Sequence, residues 1–286
     1  MTSRHTLAAP VTASGIALHA GVTVTMVLAP APAGQGVVFV RADQNGARIP
    51  ARYDLVSETR LGTVLEKDGV RVGVVEHLMA AVAGAGVDDL TVTLDGPEPP
   101  ILDGDALSFL TLIQKAGLKS QNVPREAIAI LKPVTVTQKD ASASLSPAAS
   151  ASYDFEIEFS AAAIGRQTFT LDFSSPENFA ALIAPARTFG FLKELEGLHA
   201  MNLARGASLA NTLALDDSGL VNPGLLRFPD EFVRHKILDA IGDMALAGAP
   251  LLARFQGVRS GHAVNNALLR ALFADPSAFR RVPMPG

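Results

Sequence analysis

Six histidines occur in the chain, and three of them stand beside carboxylates at spacings that suit metal chemistry. In the run Asp230-Glu231-Phe232-Val233-Arg234-His235-Lys236-Ile237-Leu238-Asp239-Ala240-Ile241-Gly242-Asp243, a helical repeat stacks His235, Asp239 and Asp243 on one face. An imidazole and a carboxylate one turn apart can share a metal ion. They can equally share a hydrogen bond, and spacing alone does not separate the two. Glu76-His77 adds what a catalytic centre needs, because catalytic zinc takes three protein ligands and keeps one position open. A carboxylate beside a ligand histidine can take a proton from water acidified by the ion, and that water then attacks a carbonyl. The plainer role for Glu76 is a helix-start carboxylate facing free N–H groups.

His262, in Gly261-His262-Ala263-Val264-Asn265-Asn266, opens the last helical stretch as a general acid or as a cap. Ser14-Gly15-Ile16-Ala17-Leu18-His19-Ala20-Gly21 and Leu102-Asp103-Gly104-Asp105-Ala106 read as polar turns that line a site or serve structure alone. His5 and His199 read as surface residues. The chain has no cysteine, so disulfides, thiolate ligands and a cysteine nucleophile are excluded, and His, Asp and Glu must carry any metal chemistry.

The elements that must position these residues alternate between strand and helix. Segments 22–28 and 36–40 are β-rich and flank a Pro/Ala/Gly turn, which predicts a hairpin. Segment 70–75 reads as a strand leading into a helix over 76–83, so Glu76 and His77 fall at a strand-to-helix junction. A strand over 90–94 and a helix over 106–116 follow, and polar 119–124 reads as an interdomain linker. The second half opens similarly, with strands at 133–137 and 153–159 around an Ala/Ser-rich segment, 141–152, read as a surface hairpin. That resemblance of pattern hints at an internal duplication. Segment 229–247 is the clearest helix, with Phe232, Ile237, Ile241 and Met244 on one buried stripe, and a last helix covers 263–273. Hairpin-type strand pairs mixed with helices argue for α+β domains, and no GxGxxG or P-loop pattern contradicts this.

At 286 residues two domains are expected, 1–122 and 123–286. Hydrophobic residues at 48% and charged residues at 18% place the chain among globular proteins. A net charge of -4 without a dense Lys/Arg cluster argues against nucleic acid as the main partner. No run approaches the roughly 20 apolar residues that span a bilayer, and 1–10 lacks the apolar centre of a secretory signal, so no stable membrane insertion and a cytoplasmic location are expected.

Val75-Glu76-His77-Leu78, Ile101-Leu102-Asp103-Gly104, Ala186-Arg187-Thr188-Phe189-Gly190-Phe191, the run 227–243 and Ser260-Gly261-His262 together resemble the UDP-3-O-acyl-N-acetylglucosamine deacetylases of lipid A synthesis, over nearly the whole chain. The resemblance implies two related α+β domains with helices sandwiched between two β-sheets, the site at their junction, and a β-α-β insert near 192–215. It implies one Zn2+ per chain, with Fe2+ as the other candidate in the cell, held by His77, His235 and Asp239. Glu76 is then the base, His262 the acid that protonates the leaving amine, and Thr188 a donor to the oxyanion, with Lys236 and Asp243 beside the metal. His19 and Phe189 border the sugar, and Arg259 stands where a lysine near the nucleotide phosphates is common. Leu192, Leu195, Ala204, Ser208, Thr212 and Ala214 line an apolar passage for the acyl chain. The partner is a small-molecule UDP-sugar lipid precursor, and a monomer is expected.

The chain departs from the family pattern at Ala17, Asp105, Ala161, Ala162, Ala207 and Ala210, and at Gly224-Leu225, none of them a proposed ligand or the base. Two competing readings remain: a non-haem iron oxygenase, which uses two histidines and a carboxylate but needs no base like Glu76, and a binding or regulatory paralogue without turnover.

Overall fold

Alternating burial builds the sheets. Along Thr23–Pro30, residues Val24, Met26 and Leu28 point inward while their neighbours face outward, the period-2 pattern of a strand covered on one side. The computed structural model describes residues 2–222, 224 and 226–284. Leu225, one of the departures noted above, lies outside them.

The first half carries a five-stranded sheet in the order Val11–Ile16, Thr23–Pro30, Leu90–Leu94, Val37–Arg41, Ala47–Pro50. The hairpin expected between segments 22–28 and 36–40 does not form. Leu90–Leu94 inserts between them, antiparallel to Thr23–Pro30 and parallel to Val37–Arg41. Local turn chemistry signals a reversal of the chain, but a strand some fifty residues later competes for the same edges and wins. The second half carries a seven-stranded sheet centred on Leu251–Val258, which pairs with Glu126–Ile130, Ala141–Pro147 and Ser152–Glu158. The Ala/Ser-rich segment thus supplies an internal strand, with Ala143 and Leu145 buried, where a surface hairpin was expected.

Six helices complete the described residues: α1 (Glu76–Gly84), α2 (Leu107–Ala116), α3 (Pro176–Leu182), α4 (Leu192–Ala200), α5 (Glu231–Ala245) and α6 (His262–Ala274). Helices α1 and α5 pack on each other; α2 bridges α1 and the first sheet, while α6 bridges α5 and the second. The helices therefore form a layer between two sheets in an α+β fold. The α1–α5 approach depends on Gly242, where any Cβ would overlap the backbone carbonyl of Glu76.

Three smaller sheets hang on this frame. Val56–Glu58, Val64–Lys67 and Val70–Val72 form one, and their loops deliver Gly62 and Thr63 to the start of α1. Phe189–Phe191 runs parallel to Leu213–Asp216 with α4 between them in sequence, a β-α-β unit. The polar stretch expected as a linker is itself a strand, Leu118–Pro124, paired antiparallel with Ser3–Leu7. Among the described residues no helix is long and apolar enough to cross a membrane.

Candidate active site

Helix α1 starts where Val72 ends a strand, and the positive φ of Val74 turns the chain so that Glu76 and His77 enter the first helical turn facing α5. From α5, His235 and Asp239 stand one turn apart on the facing surface. The ligand atoms of His77, His235 and Asp239 all lie within 4.8 Å of one another, and all three residues are buried. Asp239 Oδ1 is 3.6 Å from His77 Nε2 and 3.4 Å from His235 Nε2, yet it is buried without a hydrogen-bond partner. Two imidazole nitrogens converging with an orphaned carboxylate oxygen is what a tetrahedral N,N,O site with an open position requires. A bare protein would leave the same atoms uncompensated.

The protonation states agree. Burial pushes His77 down to about 3 and lowers His235 as well, which keeps both rings in the neutral form that ligates metals. His235 Nδ1 lies 3.1 Å from the Ala186 carbonyl, which fixes the proton on Nδ1 and leaves the Nε2 lone pair toward Asp239. Burial alone would raise the Asp239 carboxyl, but the Lys236 ammonium, 2.5 Å from Oδ2, and the surrounding imidazoles hold it well below the usual range.

Around these three residues stand Glu76 and His262. Glu76 is buried, and desolvation pushes its carboxyl up to about 7. Its Oε2 accepts the Thr63 N–H at 2.9 Å, and its Oε1 faces His262 Nε2 at 3.8 Å. Burial opposes charge on His262, but Asp243 at 2.9 Å from Nδ1 and Glu76 beyond Nε2 outweigh it and raise the ring to about 9. Asp243 is anchored in turn by the Thr63 hydroxyl at 2.6 Å and the Asn265 amide at 2.8 Å, and Ser260 donates to Asn265. The cap reading of His262 misses this orienting carboxylate. Thr63 and Asn265 carry no sequence signal of their own: one is a threonine in a loop and the other an asparagine in a helix.

Other expected site residues divide. Phe189 stacks edge-on against His235 at 6.1 Å and Phe232 at 5.1 Å, so it borders the cluster. Thr188, on the same segment, is half-buried and held by backbone bonds to Gly104 and Leu213. Glu231, fully buried at the start of α5, accepts from the Arg187 side chain and from the backbones of Arg187 and Arg227, which locks this segment to α5. Asp105, one of the departures, is buried, pairs with Arg227 at 2.5 Å and accepts the Ser108 N–H near the start of α2.

His19 has both ring nitrogens engaged by backbone, Nδ1 by the Ala204 N–H at 3.2 Å and Nε2 by the Leu61 carbonyl at 3.0 Å. It ties the loop after α4 to the first half. Arg259 is exposed and its guanidinium pairs with Asp140 and Glu158, so a phosphate contact there requires those pairs to open. In the β-α-β unit, Leu192 is 41% exposed, Leu195 half-buried and Ser208 exposed, while Ala204 and Ala214 are buried and Thr212 is intermediate. Leu213 and Leu215 are buried beside Ala214, so this strand shows no simple alternation.

Comparison with known proteins gives a consistent result. The family model for UDP-3-O-acyl N-acetylglycosamine deacetylase matches residues 4–274. A protein of Myxococcus xanthus named UDP-3-O-acyl-N-acetylglucosamine deacetylase is 49% identical over 282 residues, covering 98% of this chain and 90% of its own. Relatives of the same name from Phenylobacterium zucineum and Neisseria meningitidis are 47% and 42% identical, covering 97% and 98% of this chain and 95% and 92% of their own.

Proposed function

The chain belongs to the UDP-3-O-acyl N-acetylglycosamine deacetylase family, and on that premise we propose that it hydrolyses the acetamide of UDP-3-O-acyl-N-acetylglucosamine to the free amine and acetate, within lipid A biosynthesis. The observation that carries the reading to individual residues is the convergence of His77, His235 and Asp239 with Glu76 and His262 beside them.

His77, His235 and Asp239 would hold one divalent ion, a donor set that fits Zn2+ and also Fe2+. When bound, that ion polarises the amide carbonyl and acidifies water. Glu76 takes the proton from the attacking water, its Oε2 fixed by Thr63 so that Oε1 is the working oxygen. The carbonyl oxygen gathers negative charge as the tetrahedral carbon forms. Lys236, held at the edge of the cluster by Asp239, and the Thr188 hydroxyl stabilise that charge. The amine cannot leave as an anion. His262, kept protonated by Asp243, gives it a proton from Nε2 as the C–N bond breaks.

In this reading Phe189 packs against the sugar and the acyl chain leaves water over the β-α-β unit, where Leu192 and Met201 present apolar surface. Every group used comes from one chain, so no second copy is needed, and a nucleotide-sugar substrate sets the reaction in the cytoplasm.

Acetate release from the UDP-sugar substrate, measured before and after chelation and after readdition of Zn2+ or Fe2+, tests the proposal. Activity should vanish with the ion and return with it. Undiminished release from ion-free protein contradicts it.

A further inference from the structure

A cavity of about 620 Å³ lies where the C-terminal ends of α1 and α5 meet turns of both sheets. None of the residues assigned to the chemistry above lines it. Its volume falls within the roughly 300–1,000 Å³ of small-molecule sites. The floor is apolar, made by Met79, Val82, Ile241, Met244, Leu252 and Phe173. Glycine and alanine turns around residues 34–36, 149–151 and 248–249 form part of the rim.

Two polar groups inside point to a ligand. Tyr153 lines the cavity at 6% exposure, packed against Phe173 and Phe255, and its hydroxyl has no hydrogen-bond partner among the described residues. Solvent reaches this hydroxyl, and an oxygen acceptor in the cavity can take its hydrogen bond in place of water. Burial pushes its pKa up, so it remains a donor. Arg125 gives its Nε to Asp88 at 2.8 Å, while its terminal nitrogens meet no protein acceptor among the described residues. Those nitrogens face Gly86, where a Cβ would lie 3.8 and 4.0 Å from them, so the missing side chain keeps the approach open. Arg4, Arg52, Arg125 and Arg281 line the cavity against one acidic residue, Asp88, although Arg4, Arg52 and Arg281 are already paired with Asp89, Asp54 and Glu126.

We propose that this cavity binds an amphipathic carboxylate of the fatty-acid class. The hydrocarbon chain covers the apolar floor, and the head accepts from the free nitrogens of Arg125 and from the Tyr153 hydroxyl. A hydrocarbon suits the floor because the wall between the helices offers few acceptors with which to read a base or a sugar. Most of the floor belongs to α1 and α5, so an occupant also raises the stability of the helix pair that carries the metal residues.

Decanoate is the probe, titrated calorimetrically into the full-length protein below its micellar range, with decanol as the uncharged control. The expected result is saturable binding of decanoate, about tenfold weaker for decanol and about tenfold weaker in Tyr153→Phe, which keeps the ring packing. Ala83→Phe, on a half-buried residue lining the cavity, should abolish binding, and Leu192→Asp should leave it intact. Binding lost in Leu192→Asp but unchanged in Tyr153→Phe would place the chain on the β-α-β unit and overturn the proposal. Absence of saturable binding would overturn it too. If Ala83→Phe does not fold, the Tyr153→Phe and decanol arms still decide.

Discussion

The Thr63 hydroxyl donates to Asp243 Oδ1 at 2.6 Å while the backbone N–H of the same residue donates to Glu76 Oε2 at 2.9 Å. One buried residue thus fixes both Glu76, the proposed base, and the carboxylate that orients His262, the proposed acid. Thr63→Val removes the hydroxyl and keeps the N–H and the shape. It should lower kcat by about 10- to 100-fold with metal content unchanged, because Asp243 loses a charge-assisted bond worth about 1.5–3 kcal/mol. Thr63→Ser should restore most of the rate. Equal kcat values for the Val and Ser variants would show that the hydroxyl does not matter.

The pH profile of kcat/KM should be bell-shaped. Glu76 must be ionised, so activity falls as pH drops through its pKa; His262 must be protonated, so activity falls as pH rises through its own. The protein alone sets these at about 7 and about 9. A bound cation favours the carboxylate and disfavours the imidazolium, which moves both limbs downward. His262→Ala should chiefly affect the alkaline limb. An unchanged alkaline limb in that variant assigns the acid elsewhere.

Gly242→Ala should disturb the site from behind, since its methyl would overlap the Glu76 carbonyl and force α1 from α5. A loss of about 1–3 kcal/mol in unfolding free energy, together with weaker metal binding, is expected. Wild-type stability and metal affinity in this variant would mean that the close approach does not set the ligand geometry.

Glu231→Ala leaves the Arg187 guanidinium without its partner, and with it the segment that carries Thr188 and Phe189. Breaking a buried pair on one side costs about 3–5 kcal/mol. Denaturant unfolding should show a loss of this order, and a change below about 1 kcal/mol would mean that solvent or a neighbour replaces Glu231.

The acyl chain offers a separate test on the exposed side of the β-α-β unit. Leu192→Asp should reduce kcat/KM steeply for a long-chain substrate and spare a short-chain analogue, because each methylene left in water forfeits about 0.8 kcal/mol. Equal losses on both substrates would remove this unit from acyl binding. Leu192 is a better probe than Ala214, which is buried between Leu213 and Leu215, where a large side chain would test packing instead.

The sequence makes the centre of the site legible and its support nearly invisible. The helical repeat puts His235 and Asp239 on one face and a change from strand to helix pattern marks Glu76-His77, but it is the resemblance that selects metal ligation over a plain hydrogen bond. Leu90–Leu94 is legible as a strand from its alternation, but its place between two earlier strands is not, because pairing depends on competition between distant edges. Leu118–Pro124 is polar and mostly exposed, so no burial pattern distinguishes it from a linker; backbone bonds to Ser3–Leu7 make it a strand. His19 and Arg259 have partners that sequence alone does not show. Their residue types suit a ligand, but the backbone at Leu61 and Ala204 and the carboxylates of Asp140 and Glu158 already occupy them.

The central claim is that Glu76 moves the proton while His77, His235 and Asp239 hold the ion, and Glu76→Gln separates the two roles. Metal content by elemental analysis and acetate release should be measured on the same preparation. The expected result is one divalent ion per chain, as in the wild type, with the rate reduced by about 10²- to 10⁴-fold. Near-wild-type acetate release from a fully loaded Glu76→Gln protein would contradict the assignment of the base.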